Sequence, residues 1–143
     1  MASVSELLDS FVENFNAGRF EGALEDFAPD GVFEEIGTGR RFAPQESVEN
    51  ARAGKAAVPD ARGTIERTLI DGDRGAAEIA WTGTNTGPFM GQPPTGKATT
   101  LRTVAVLETA GGKITRARHY VDVAGLLAQL GMGAAPAAGA GAR

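Results

Sequence analysis

The chain has 143 residues, no cysteine and a single histidine, and 14 Lys and Arg against 18 Asp and Glu leave a formal net charge of −4. The length suits one domain, and the missing cysteines exclude disulfides, thiolate catalysis and cysteine-ligated metals. The acidic balance argues against nucleic-acid or membrane partners, and no secretory signal or membrane-spanning run is visible, so we expect a cytoplasmic protein whose partners are small molecules or protein.

Three helices are predicted in the first part of the chain. The first begins at a capping box formed by Ser3 and Glu6, carries apolar residues at helical spacing and ends near Gly18. A second short helix covers 20–27, and a third covers 44–55 with proline at its first position.

The pattern then changes to the twofold period of strands. Strands are predicted at 32–36, 63–70, 75–86, 98–109 and 113–121, with hairpin signals at 71–73 and 110–112 and a last helix at 123–130. This order indicates an α+β domain in which helices cover one face of a curved antiparallel sheet.

Two segments fall outside these elements. The connection 87–96 is too long and too rich in Gly and Pro for a tight hairpin, so we expect it to fold over a cavity mouth and to bring Phe89 to a ligand. The Ala, Gly and Pro of 132–143 are typical of a disordered tail, which leaves 1–131 as the single domain.

Asp122 lies at the joint between the last strand and the last helix. Strand alternation places it on one face with Tyr120 and Arg118, and places His119 on the other, although a bulge would exchange the faces. If the Asp122 face meets the helices, an enclosed setting raises the pKa of its carboxyl and makes it a better base at neutral pH. Alternatively, the carboxylate is the helix N-cap, and spacing alone does not choose between the two.

Two other strands carry residues suited to a ligand site. Trp81 and Asn85 share a face, so an aromatic wall and an amide that orients a substrate carbonyl would point into one space. A core tryptophan and an asparagine that satisfies its own turn are equally compatible with the pattern. Glu35 shares the side of Phe33 and is a candidate second pocket acid.

Arg118 and His119 both have ordinary alternatives to a functional role. Arg118 would either steer an anionic substrate or pair with surplus carboxylates at the surface. A lone histidine without Cys, His or carboxylate neighbours at ligand spacing is a poor metal site, and a histidine in a sheet more often packs or faces a subunit interface. We therefore predict no metal and no cofactor.

Three segments carry a resemblance to a known family: Thr84–Lys97 with its Pro-Pro-Thr-Gly, Gly112–Ile114, and Asp122–Gly131 with its Gln-Leu-Gly. The chain, except for its tail, resembles SnoaL-like polyketide cyclases, or ester cyclases, of the nuclear transport factor 2-like superfamily. The resemblance implies a cone-shaped α+β barrel that admits a hydrophobic ligand, in a homodimer built through the sheet. It also implies that Asp122 is the general acid/base of an intramolecular aldol ring closure without metal or cofactor.

We therefore expect a cofactor-independent enzyme acting on a hydrophobic carbonyl compound, with Asn85 and Tyr120 orienting the substrate. Asn85 stands where many relatives have histidine, and an amide can hold an enolate oxygen but cannot share protons. A non-catalytic small-molecule-binding or dimerisation module with the same fold is the alternative. Isomerase and epoxide hydrolase activities of the superfamily are a further alternative, although Arg118 and Asp122 do not reproduce the hydrolase spacing.

Overall fold

The computed structural model describes residues 1–132. Its helices are α1 (Val4–Ala17), α2 (Gly22–Asp26), α3 (Pro44–Ala57) and α4 (Val123–Gln129). Its strands are β1 (Phe27–Ile36), β2 (Arg40–Phe42), β3 (Arg62–Asp71), β4 (Arg74–Thr84), β5 (Ala98–Ala110) and β6 (Lys113–Tyr120). Apart from its first residue, the predicted tail at 132–143 lies outside the described residues.

The six strands form one curved sheet in the order β2-β1-β6-β5-β4-β3. Strands β3 to β6 are an antiparallel meander, and the last of them, β6, lies alongside β1 and parallel to it. The predicted α+β architecture is confirmed. The predicted antiparallel pairing holds at every pair of neighbouring strands except β1 with β6, which are parallel because a connection through β2, α3 and the meander brings β6 alongside β1 in the same direction.

The first helix shows how local signals and packing agree. Ser3 and Glu6 form the predicted reciprocal capping box, and Gly18 ends α1 with a φ of 73° that suits glycine. The apolar stripe of α1 packs on the sheet, and the core contains Val4, Leu7, Leu8, Val12, Ala77, Ile79, Ala105, Leu107, Ile114 and Ala117. Part of the space between the helices and the sheet is left for a cavity.

A bulge in β6 decides which side chains enter that space. Glu108 pairs with Arg116, but the next residue of β5, Thr109, pairs with Ile114, so one extra residue of β6 lies between the two pairs. An extra residue reverses the alternation of faces. Ile114 and Ala117 are therefore both buried although three positions separate them. Beyond the bulge the inner face is the opposite of the predicted one.

No helix among residues 1–132 is both long and apolar enough to cross a membrane. Within the same residues, no group of three or more His, Asp or Glu side chains is arranged to hold a metal ion.

Candidate functional site

A cavity of about 280 Å³ lies between the concave face of the sheet and the helices. Its wall is mainly aromatic and aliphatic, with a few polar groups, which is the usual composition of small-molecule sites. The aromatic part of the wall comprises Phe11, Phe15, Phe20, Phe27, Phe33 and Trp81. The ionisable residues in the wall are Asp26, Glu35 and His119, and no Lys or Arg of the described chain contributes to it.

Three side chains from neighbouring strands form a hydrogen-bonded chain in the wall. The indole Nε1–H of Trp81 donates to Thr103 Oγ1 at 2.9 Å, and His119 Nε2 lies 2.8 Å from the same oxygen. An indole N–H only donates, so Thr103 accepts from Trp81; we assign its hydroxyl hydrogen to His119, because no other acceptor for this hydroxyl is found among the described residues. This assignment makes Nε2 the acceptor and leaves the proton of the neutral ring on Nδ1.

With this assignment, the Nδ1–H of His119 has no hydrogen-bond partner among the described residues. Every fully buried side-chain nitrogen or oxygen atom in residues 1–132 has a hydrogen-bond partner, so the unpartnered Nδ1 is not one of these buried atoms. Nδ1 therefore keeps some accessible surface, and the His119 side chain lines the cavity. Burial lowers the pKa of His119 to about 4, against the opposing charge of Glu35, so the ring is neutral at pH 7.

Glu35 lies beside His119. The two residues are register partners in the parallel pair of β1 and β6, and both line the cavity. Burial raises the pKa of Glu35, but hydrogen bonds from Arg40 and Thr38 and the charge of Arg40 outweigh burial, so the pKa is lowered overall. The carboxylate is therefore ionised at neutral pH.

Only one carboxylate oxygen of Glu35 is used in these contacts. Oε1 accepts from Arg40 at 2.7 and 3.2 Å and from the Thr38 hydroxyl at 2.8 Å. Oε2 accepts no hydrogen bond within 3.5 Å from a described residue and is not a buried unpartnered atom, although the Asn50 side chain in the same wall also helps to lower the pKa of Glu35. One oxygen therefore holds the side chain in place while the other can act on a ligand.

A family model described as SnoaL-like polyketide cyclase matches residues 5–130. The chain belongs to the SnoaL-like polyketide cyclase family. No protein with a curated description matches it.

Solved structures agree with this family. IdmH from Streptomyces antibioticus, a proposed polyketide cyclase, is 28% identical, with 90% of this chain and 98% of IdmH covered and a TM-score of 0.78. AclR from Streptomyces galilaeus, a proposed hydroxylase, is 26% identical, with 87% and 78% covered and a TM-score of 0.77. A SnoaL-like protein from Jannaschia sp. CCS1 has a TM-score of 0.81 at 16% identity, with 91% and 92% covered, and supports the fold alone.

In this SnoaL-like chain Asp122 is a helix cap. Its Oδ1 accepts the backbone N–H of Gly125 at 2.9 Å, and the residue is exposed and absent from the cavity wall. The structure contradicts the prediction that the Asp122 carboxylate faces a pocket. The reason is the β6 bulge, after which His119 and Val121 point inward.

We expect Asp122→Asn to keep both stability and turnover, since asparagine is an equally good N-cap, and Asp122→Ala to lower the free energy of unfolding by about 1 kcal/mol. Urea denaturation and a turnover assay on both variants measure this. Loss of turnover in the well-folded Asp122→Asn variant would contradict the assignment of Asp122 to capping alone.

Asn85 is a structural residue of the loop that follows β4. It is fully buried, and its amide donates to the carbonyls of Ala57 and Gly87 and accepts the N–H and hydroxyl of Thr95. A Cβ at Gly87 would collide with the Ala56 carbonyl, so glycine is needed where the loop meets α3. The amide has no capacity left for a substrate carbonyl, and the predicted ligand role of Asn85 is wrong in this geometry.

Three other predicted contacts also lie away from the cavity wall. Phe89 is in the loop, where its backbone forms a two-way bridge with Gln92. Tyr120 is 45% exposed, and Arg118 forms ion pairs with Glu34 at 3.3 Å and Glu108 at 2.7 Å. The bulge places Tyr120 and Arg118 on the outer side, so Arg118 is a surface-pairing residue.

Glu35 and Trp81 are the predicted site residues that the structure brings to the cavity, and their roles stay predictions. Sequence reasoning misplaced His119 on the face opposite the site and did not single out Thr103. A signal was available for His119, because Ile114 and Ala117 are apolar at an odd spacing within one strand. Such a break in alternation is the mark of a bulge.

Proposed function

We propose that this protein is a cofactor-independent polyketide-cyclase-like enzyme that closes a ring in a hydrophobic carbonyl compound by an intramolecular aldol reaction. The observation that carries the proposal is the pair of Glu35 and His119, adjacent in register and both in the wall of an aromatic cavity. An ionised carboxylate with a free oxygen beside a neutral N–H donor is a base paired with an oxyanion stabiliser.

In the proposed first step, Glu35 Oε2 removes a proton from a carbon between two carbonyl groups. The His119 Nδ1–H donates to the carbonyl oxygen that becomes the enolate oxygen. A neutral imidazole suits this role because it stabilises the oxyanion without transferring a proton to it. The chain through Thr103 and Trp81 supports the tautomer that presents Nδ1–H to the cavity.

In the second step, the enolate carbon attacks a distant carbonyl carbon of the same molecule, and a carbon–carbon bond forms. The new alkoxide takes the proton held by Glu35, which restores the carboxylate. Atoms and charge balance without an oxidant or reductant. The cavity contributes by holding the chain folded with the reacting carbons near each other.

The electrostatics of the wall narrow the substrate class. A carboxylate with a lowered pKa is a weak base, so it suits an already acidic C–H such as that of a 1,3-dicarbonyl compound. The absence of Lys and Arg from the described wall, together with two carboxylates in it, favours an uncharged substrate over a free acid.

Incubating the protein with uncharged polyketide-like di- and triketones and following products by mass spectrometry and NMR tests the proposal. We expect a cyclic isomer of unchanged mass, or that isomer less water, to form with multiple turnovers. Binding without conversion, across compounds that fit about 280 Å³, would instead favour the binding-module alternative. Boiled protein and the Glu35→Gln variant are the controls for uncatalysed cyclisation.

A further inference from the structure

A second polar group lies in the cavity wall away from Glu35 and His119. Asp26, at the end of α2, accepts the hydroxyl of Ser10 at 2.5 Å and lies 3.4 Å from the amide nitrogen of Asn14, which also donates to Ser10 at 3.1 Å. Asp26 and Asn14 line the cavity. We call these three residues the Asp26 cluster, and the reaction proposed above does not use it.

The strand register separates the Asp26 cluster from the reacting pair. Asp26 precedes Phe27, which pairs with Ile114, while Glu35 pairs with His119. Ile114 and His119 are five positions apart in β6, which is about 16 Å along an extended strand. The level of the Asp26 cluster and that of the reacting pair are therefore separated by about this distance along β6. Both Ile114 and His119 line the cavity, so the cavity extends along β6 from one level to the other.

The Asp26 cluster has a free acceptor. Both hydrogen bonds to Asp26 end on Oδ2, and no described residue donates to Oδ1. Every fully buried side-chain nitrogen or oxygen atom among the described residues has a partner, so the unpartnered Oδ1 keeps some accessible surface. The cluster is also closely packed, since a Cβ at Gly22 would lie 2.5 Å from the Asn14 amide. One oxygen is thus held by the protein while the other remains able to accept a hydrogen bond from a ligand.

The surroundings favour a neutral donor over a cation at this acceptor. Phe27 follows Asp26 directly in the chain and, like Phe20, lines the cavity. Arg52 already lies over the Phe20 ring, 5.3 Å from its centre, and the Lys113 ammonium donates to the carbonyl of Glu25 beside Asp26. Arg52 is itself paired with Glu21 and Glu49, whereas the two groups that hold Asp26 are neutral donors, a serine hydroxyl and an amide N–H, and a ligand hydroxyl is a donor of the same kind.

We propose that the Asp26 cluster is a specificity subsite that binds a hydroxyl group, phenolic or enolic, at the end of the substrate remote from the reacting carbonyls. The inference rests on the proposed function for the identity of the reacting end. It assigns the substrate class as an uncharged, hydroxylated aromatic or enolised carbonyl compound. A charged acceptor with one fixed and one free oxygen selects a substrate hydroxyl over a hydrogen at that position.

Isothermal titration calorimetry with 6-hydroxy-1-tetralone and 1-tetralone tests the hydroxyl subsite by itself, because the two ketones differ only in the hydroxyl and neither is long enough to reach Glu35 and Asp26 at once. We expect the wild-type protein to bind the hydroxylated ketone about tenfold tighter, as for a hydrogen bond to a charged group. In Asp26→Leu we expect the two ketones to bind within about twofold of each other, with the affinity for 1-tetralone retained. In Asp26→Asn we expect an intermediate preference of about threefold, because an uncharged acceptor remains.

Glu35→Gln is the matched control, since it removes the other carboxylate of the same wall and should leave the hydroxyl preference unchanged. The proposal would be overturned if the wild type bound the two ketones equally, or if Asp26→Leu or Asp26→Asn kept the full preference for the hydroxylated ketone. It would also be overturned if Glu35→Gln lost that preference. The readout is binding without turnover, so failure of the subsite is distinct from failure of ring closure in the product assay.

Discussion

Replacing Glu35 with glutamine should lower turnover by about 10²- to 10⁴-fold, the usual contribution of a positioned general base. Glutamine keeps the size of the side chain and can still accept from Arg40 and Thr38, so the cavity should keep its shape. The amide cannot take a proton from carbon at neutral pH. Ligand affinity should therefore change much less than turnover.

The adjacent Glu34 supplies the control for this experiment. Its side chain is similarly enclosed, 17% exposed against 15% for Glu35, but it lies on the outer face and pairs with Arg41, Arg116 and Arg118. Glu34→Gln should keep turnover. Single-turnover rates and ligand affinity for both variants separate chemistry from binding. Full turnover in Glu35→Gln would remove this residue from the mechanism.

His119 should make folding stability depend on pH between about 4 and 6.5. The unfolded chain binds a proton on histidine below about pH 6.5, while burial lowers the folded-state pKa to about 4. Across this window the unfolded state holds more protons, so the free energy of unfolding falls as the pH decreases. The loss reaches about 3 kcal/mol near pH 4 and stops growing below it, where both states are protonated.

This prediction can be measured cleanly because His119 is the single histidine of the chain. In untagged protein, its ring protons give one NMR titration, which we expect to show a midpoint near pH 4. Urea denaturation at pH 7 and at pH 4 should show that the wild type loses about 3 kcal/mol more than His119→Gln. A midpoint near 6.5 would contradict the enclosed, neutral ring and the proposed donor role that depends on it.

The segments that carry the family resemblance build the frame of the cavity. The amide nitrogen of Asn85 donates to the Ala57 carbonyl, and its amide oxygen accepts the N–H of Thr95 in the loop after β4. Asp122 caps α4. Gln129, near the end of α4, donates to the carbonyl of Thr100 and accepts its N–H, as a neighbouring strand would. These recognisable positions hold α4 and the loop in place, which explains why a motif can reveal the family without revealing which side chains line the cavity.

Much of the architecture is predictable from local patterns. The α1 capping box at Ser3 and Glu6 and the glycine stop at Gly18 act through backbone groups within a few residues, so they can be seen in the sequence. The four strands of the meander follow from period and turn signals, and their observed bounds lie within two residues of the predicted ones. The three residues of β2 were missed because so short a segment shows no period.

The sequence by itself determined the α+β fold, the family and the mainly apolar character of the ligand space. Only the tertiary structure decided which acids face that space. One extra residue in β6 exchanges the faces of Asp122 and His119, and pairing with β1 brings Glu35 beside His119. The physical reason is that a strand's alternation of faces persists only until the first bulge, and a bulge depends on the partner strand as much as on its own residues.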